Sequence, residues 1–323
     1  KVGIEVVLLD ATQESADKGK AYSTALLDKM VKKGRMTTDA RDAFLKLITP
    51  TTDYALMAGC DLVIEAVFED RTIKANVTKK TEAVIPASAT FASNTSTLPI
   101  TGLAKASARP KQFIGLHFFS PVDKMPLVEI ILGAETSPET LAKGFDYVQQ
   151  IKKTPIVVND SRGFYTSLVF ATYIMEGASL LLEGQHPRSI EVAGLKAGMP
   201  VGPLALHDEV SLSLSHHILE QTRKDFVAEG KTLPEHPANA LIEKMVKTLN
   251  RPGKKAKAGF YEYPDVGEKH LWAGLAKEFP LAKAQLPQQE IIDRMMFVQA
   301  NEAAKCFEEN VVMTVADTNI GSI

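Results

Sequence analysis

An α/β fold, in which a doubly wound and largely parallel sheet is followed by an all-α part, is what the 323-residue sequence predicts. Three observations carry the prediction. Through the first half, short and nearly continuous apolar runs alternate with longer amphipathic stretches, the pattern of strands buried on both faces by covering helices. After TPIVV (154–158) the texture becomes helical, which places a composition boundary near residue 159. Residues 168–184 and 294–310 align without gaps and share Glu176/Glu302, Ala178/Ala304 and Glu183/Glu309, a faint echo that suggests a duplicated helical unit.

Taken in order, strands are expected at GIEVVLL (3–9), DLVIEAV (61–67), ATFASN (89–94), QFIGLHFF (112–119) and LVEIIL (127–132). Helical spacing fills 12–33, 37–48 and 71–84. Beyond the boundary, RGFYTSLVFATYIMEGASLLLEG is one long helix closed by Gly184, SIEVAGLKAG repeats the pattern on a smaller scale, and the stretch from Pro203 to about Glu229 reads as helical. The resulting division is 1–158, 159–264 and 265–323, the last being the start of a second helical repeat.

Bulk properties exclude several classes. With 45% hydrophobic and 24% charged residues the chain is not disordered, and a net charge of -2 recruits neither nucleic acid nor an anionic membrane. Only Cys60 and Cys306 are present, in unrelated contexts, which suits a reducing compartment. There is no signal-peptide pattern and no apolar run of membrane-spanning length, so a cytoplasmic location is expected.

Candidate chemistry begins at Asp10. An acidic residue ending a strand is how dinucleotide-binding folds hold the adenosine ribose, with a glycine-rich turn roughly 20 residues earlier. Only nine residues precede Asp10, so on this reading the first strand and its loop lie upstream of Lys1. The alternative is that Asp10 caps the helix that follows. The polar string SNTSTLPI (93–100) follows a strand, where open α/β sheets collect ligands, and Asn94, Ser96 and Thr97 equally suit turn and capping roles.

The stretch GLHFFSPVDKMPLVEII (115–131) is more specific. His117 and Glu129 are equidistant from Asp123, so an antiparallel pairing of the flanking runs sets them opposite each other on one face. A one-residue slip abolishes the pairing. A carboxylate against one imidazole nitrogen fixes the tautomer, supports the imidazolium that forms, and leaves the other nitrogen as a general base. The competing reading is a buried pair that only satisfies itself. It is weakened because two polar groups inside apolar strands are costly to bury. No G-x-S-x-G elbow occurs. His216 and His217 diverge on a helix, His236 lies in a Pro-flanked loop, and no H-x-x-x-H or C-x-x-C supports a metal. KTLNRPGKKAKAGFYEYP (247–264) reads as a solvated basic loop leading to an aromatic strand or turn.

ASNTS, IGLHFFSPV, LVEII, VVNDSRGF and KAKAGFYEY together resemble the 3-hydroxyacyl-CoA dehydrogenases, in the form found in multifunctional fatty-acid oxidation α-subunits. The resemblance runs nearly the whole chain. It implies a Rossmann-like NAD-binding domain lacking its first strand and Gly-rich loop, then the helical C-terminal domain and the start of a second copy. It implies oxidation of L-3-hydroxyacyl-CoA by NAD within β-oxidation, with His117 as base, Glu129 as its support and Ser96 on the reacting oxygen. Asp10 would bind the adenosine ribose, Val67, Phe68, Glu69 and Lys74 would lie along the cofactor, and Ser120 would stand on its side and Ser167 on the substrate side. The family usually has Asn at the last two positions, so the shorter serines imply a water or shifted substrate, with a changed chain-length preference or rate. An enoyl-CoA hydratase domain upstream, a thiolase partner subunit and homo-oligomerisation belong to the same implication. The other readings are a non-catalytic, crystallin-like relative and a stand-alone 3-hydroxybutyryl-CoA dehydrogenase. Intact His117, Glu129 and Ser96 oppose the first. The chain continuing well past GFYEY opposes the second.

Overall fold

The computed structural model describes residues 2–322. They form two compact units, one of residues 2–164 with 310–321 and one of residues 165–309. The first unit opens with β1 (Val6–Leu9), α1 (Gln13–Lys32), α2 (Thr38–Lys46) and β2 (Ile48–Thr51). Thr12 and Thr37 cap the two helices by accepting the N–H groups of Ser15 and Ala40. The cap is therefore Thr12, not Asp10. β2 was not expected, because Pro50 argues against a strand. It survives because β2 pairs only with β1, in parallel, and an edge strand tolerates a missing donor.

The main sheet runs β3 (Leu62–Glu65), β4 (Thr90–Ser93), β5 (Phe113–Phe118), β6 (Leu127–Leu132) and β7 (Thr154–Asn159) in spatial order. Its β3–β4, β4–β5 and β6–β7 pairs are parallel and β5–β6 is antiparallel, so the sheet is parallel-dominated with one reversal. The helices α3 (Arg71–Glu82), α4 (Ile100–Ala104) and α5 (Pro138–Gln150) join successive strands. Asp70 and Ser137 cap α3 and α5 from their own side chains. For α4 the cap comes from 60 residues away: the Asp160 carboxylate accepts from Ile100 and Thr101 N–H at 2.8 and 2.7 Å.

The core of this unit sits under β4 to β6, where Ala92, Ile114, Leu116, Val128 and Ile130 are fully buried. The β1–β2 ribbon is not hydrogen-bonded to the five-stranded sheet, so β1 and β3 each keep one unpaired edge. Val7, Leu9 and Val63 meet instead around Met57, Ile85 and Ala89. At the other edge, residues 310–312 return to cover β7, with Asn159 N–H donating to Val311 and Val158 bridging Val312.

The second unit is α6 (Thr166–Leu182), α7 (Pro187–Lys196), α8 (Pro203–Val210), α9 (Leu212–Ala228) and α10 (Pro237–Glu243), then a hairpin of β8 (Tyr261–Glu262) and β9 (His270–Leu271), then α11 (Leu275–Glu278) and α12 (Gln288–Glu308). The single helix expected over 203–229 is two, broken at Ser211, whose φ is +82°. The echo has a structural counterpart. Both α6 and α12 end in a left-handed residue at the aligned position, Gly184 (φ +80°) and Asn310 (φ +57°), and α13 (Val315–Gly321) follows the second as α7 follows the first. Arg294 of α12 donates to both Glu176 and Glu183 of α6. Compactness places 265–309 with the preceding helices, and the three-part division at 158 and 264 is kept as a proposal about duplication.

The GFYEY segment is anchored by buried carboxylates. Asp208 accepts from Phe260 and Tyr261 N–H at 2.8 and 2.9 Å and from the Tyr263 hydroxyl at 3.0 Å. Glu191 accepts from Tyr261 Oη at 2.7 Å and Leu204 N–H at 2.7 Å. Among the neighbouring basic residues, Lys254 pairs with Glu209 and Lys257 with Asp265.

Candidate active site

His117 is the fifth residue of β5 and Glu129 the third of β6, and the antiparallel register sets them directly opposite. That is the pairing expected from their spacing about Asp123. His117 Nδ1 lies 3.0 Å from Glu129 Oε2, with the glutamate fully buried and the histidine nearly so. A charge so enclosed persists only with a partner, because removing one member of a buried pair costs about 3–5 kcal/mol. With Nδ1 committed to the carboxylate, Nε2 is the nitrogen left to exchange a proton.

Two aromatic rings bracket the imidazole, Phe119 at 4.4 Å and Phe164 at 6.1 Å between centroids. Phe164 reaches it through a tight turn in which Gly163 (φ +84°) and Phe164 itself (φ +52°) are both left-handed. A bulky residue at positive φ is strained and persists where its surroundings dictate it. Phe164 is wholly buried, so packing against the site holds it there.

The parallel strands β3 and β4 end beside this pair. Val67, Phe68 and Glu69 follow β3, Ser96 follows β4, and His117 lies two residues beyond the last β4–β5 pair. The three strand ends share one edge of the sheet, the position where open α/β sheets bind ligands. Phe68 is 84% exposed there. The Glu69 carboxylate clasps the Ser96 loop, accepting from the Thr95 hydroxyl, Ser96 N–H (3.2 Å), Thr97 N–H (3.2 Å) and the Thr97 hydroxyl (3.1 Å). Burial pushes the Glu69 carboxyl up, but the Thr95 hydroxyl, the nearby Lys74 charge and the Thr97 hydroxyl outweigh it and hold the group below the usual carboxylate range.

Lys74 is not on the surface. Its side chain and that of Glu65 are each 2% exposed and bonded at 3.0 Å, with Val67 carbonyl and Glu69 taking the remaining donors at 3.3 and 3.4 Å. Ser93 also donates to Glu65. The ammonium therefore ties the end of β3 to the loop that follows it. Asp10 is exposed at the carboxyl end of β1, with Oδ1 accepting its neighbour Ala11's N–H. Ser120 is exposed just past β5, and Ser167 is partly buried in the first turn of α6, in the second unit.

Sequence reasoning missed Glu65, Asp160 and Phe164. Glu65 carried the same signal that singled out Glu129, one acid inside an apolar run, and DLVIEAV could have been read that way. Away from this region, His216, Glu220 and Glu243 present ligand atoms within 4.8 Å of one another. Arg223 pairs with both carboxylates, so a guanidinium already serves there as the cation.

A parallel-dominated five-stranded sheet, an acid at the carboxyl end of the separate β1–β2 ribbon, a buried His–Glu pair at the strand ends and a following helical unit define a nicotinamide-dependent dehydrogenase architecture. The profile described as "3-hydroxyacyl-CoA dehydrogenase, NAD binding domain" matches residues 1–161, and the one described as "3-hydroxyacyl-CoA dehydrogenase, C-terminal domain" matches 163–263. The chain belongs to the 3-hydroxyacyl-CoA dehydrogenase family. It is 38% identical over 335 aligned positions to the fatty acid oxidation complex subunit alpha of Shewanella baltica, an alignment covering 100% of this chain and 45% of that protein. The chain thus spans about half the length of the curated relatives it matches. The crystal structure of (S)-3-hydroxybutyryl-CoA dehydrogenase PaaH1 from Ralstonia eutropha is 33% identical, with a TM-score of 0.75 over 82% of this chain and 92% of that one. The fold alone is shared with 3-hydroxybutyryl-CoA dehydrogenase from Escherichia coli, at 23% identity and TM-score 0.80 over 98% of this chain and 82% of that one.

Proposed function

We propose that this chain carries the NAD-dependent oxidation of L-3-hydroxyacyl-CoA to 3-oxoacyl-CoA in fatty-acid β-oxidation. The observation that supports it most is the 3.0 Å contact between His117 and Glu129, buried in register at the strand ends. In this reading His117 Nε2 takes the proton from the 3-hydroxyl, and Glu129 holds the ring and supports the imidazolium that forms. Ser96 hydrogen-bonds the same oxygen, from a loop whose backbone Glu69 fixes. Bound NAD supplies the hydride acceptor.

The residues present fit two parts of that cofactor. The exposed Asp10 carboxylate suits the ribose hydroxyls and disfavours a 2′-phosphate, and the Val67–Glu69 segment with Ser120 would line its nicotinamide side. Lys74, bonded to the Val67 carbonyl, is proposed to lie along the cofactor with that segment. The pyrophosphate has no candidate cradle, since no G-x-G-x-x-G occurs within the 323 residues. Ser167 is proposed on the substrate side.

The curated relatives are named as subunits of a complex, which supports assembly of the full-length protein with another subunit. That this subunit is of thiolase type and that the protein is cytoplasmic are parts of the proposal. No helix among the described residues is long and apolar enough to cross a membrane. An enoyl-CoA hydratase activity elsewhere in the polypeptide belongs to the same proposal. The test is the reverse reaction in the full-length protein, followed by loss of NADH absorbance with acetoacetyl-CoA. Turnover with NADH well above that with NADPH is expected, and the absence of turnover with either would overturn the proposal.

A further inference from the structure

The parallel ladder between β4 and β5 stops at Ser93 opposite Gly115, yet β5 runs on to Phe118. Past that point β4 has turned into the loop that carries Ser96. The Asn94 side chain continues the ladder in its place. Its Oδ1 accepts the N–H of Phe118 at 2.8 Å, while its own backbone N–H donates to the Glu65 carbonyl at 2.8 Å. One residue therefore joins the ends of β3, β4 and β5. It lies two residues before Ser96 and grips the residue immediately after His117.

We infer that Asn94 is a positioning residue for the proposed dehydrogenation, setting the separation between the Ser96 hydroxyl and the His117 imidazole. The inference rests on the reading of His117 as the base. A substrate hydroxyl that meets both groups needs each held to within about 0.5 Å, and a misplacement of about 1 Å costs on the order of a hundredfold in rate. Glu69 grips the Ser96 loop from one side and Glu129 grips His117 from the other. Asn94 ties the strand end before Ser96 to the residue after His117. Its short side chain sets the acceptor at a fixed reach.

A purely structural role, satisfying one N–H left over at a strand end, is the competing explanation, and a double-mutant cycle separates the two. In the full-length protein, NADH-dependent reduction of acetoacetyl-CoA is measured for Asn94→Ala, Asn94→Asp, His117→Gln and the double variant Asn94→Ala with His117→Gln, alongside thermal melts. Asn94→Ala is expected to lower kcat by about tenfold or more, with KM for acetoacetyl-CoA changing less than about threefold. Asn94→Asp keeps an acceptor oxygen at the same reach and recovers most of that loss. Adding Asn94→Ala to His117→Gln costs nothing further, because the effect is routed through the histidine.

Parental kcat in Asn94→Ala overturns the inference. So does a loss that multiplies unchanged onto an impaired His117→Gln background. If Asn94→Ala does not fold, Asn94→Ser, whose hydroxyl accepts at shorter reach, takes its place in the cycle with the same two criteria. Parental turnover in His117→Gln overturns the base assignment and this inference with it, so the two failures read differently.

Discussion

Asp10 and Lys74 were assigned to the same cofactor by resemblance, and the structure gives them opposite surroundings. Asp10 stands in solvent at a strand end, whereas Lys74 is enclosed by Glu65, Val67 and Glu69. Asp10→Ala is therefore expected to raise KM for NAD about tenfold, the scale of a hydrogen bond to a charged group, and to leave the melting temperature nearly unchanged. A melting loss of several degrees with unchanged KM would show that the carboxylate serves the fold instead. The His117–Glu129 pair was legible in the sequence because two polar residues interrupt apolar runs at equal distances from Asp123. The Lys74–Glu65 pair was less so, since its partners lie on a strand and the next helix and no symmetry relates them.

Among elements, the β5–β6 pair depends on Gly115. It shares a face with His117, and a Cβ there would meet Ile131 Cβ at 2.8 Å and Ile100 Cδ1 at 2.9 Å. Gly115→Ala is expected to destabilise the first unit by about 1–3 kcal/mol, as overpacked cores do. A denaturant midpoint equal to the parent's would contradict it.

In the second unit, His207 and Asp208 are adjacent and both fully buried. Burial takes the His207 imidazole down to about 4 and Asp208 up to about 6, the latter against hydrogen bonds from Phe260, Tyr261 and Tyr263 and the charge of Arg251. The signs oppose. His207, depressed on folding, contributes stability present above about 6.5 and lost as pH falls towards 4. Asp208, raised on folding, contributes stability present below about 3.8 and lost as pH rises through about 6. Between pH 4 and 6 the two slopes largely cancel. Asp208→Asn removes one of them, so its melting temperature relative to the parent is expected to fall steadily from pH 6.5 to 4, and parallel curves would refute the assignment.

Element boundaries show where sequence reasoning stops. Strands β1 and β3 to β6 and helices α1 to α3 follow from periodicity and local caps. β2 was hidden by Pro50, the break at Ser211 by an uninterrupted helical pattern, and the capping of α4 by the 60 residues separating it from Asp160. Each of these depends on a partner elsewhere in the chain.

For the whole molecule, the sheet is split where β1 and β3 both keep an unpaired edge, and no phosphate-cradling glycine motif lies within the 323 residues. Calorimetric titration of NAD into this chain is accordingly expected to give an affinity weaker than micromolar, and micromolar binding would show that the residues here suffice. The central claim is that His117, held by Glu129, is the base. It is tested most directly by the turnover of acetoacetyl-CoA and NADH in full-length His117→Gln. A loss of at least about two orders of magnitude in kcat with the fold retained is predicted, the scale of general-base catalysis. Near-parental turnover would contradict it.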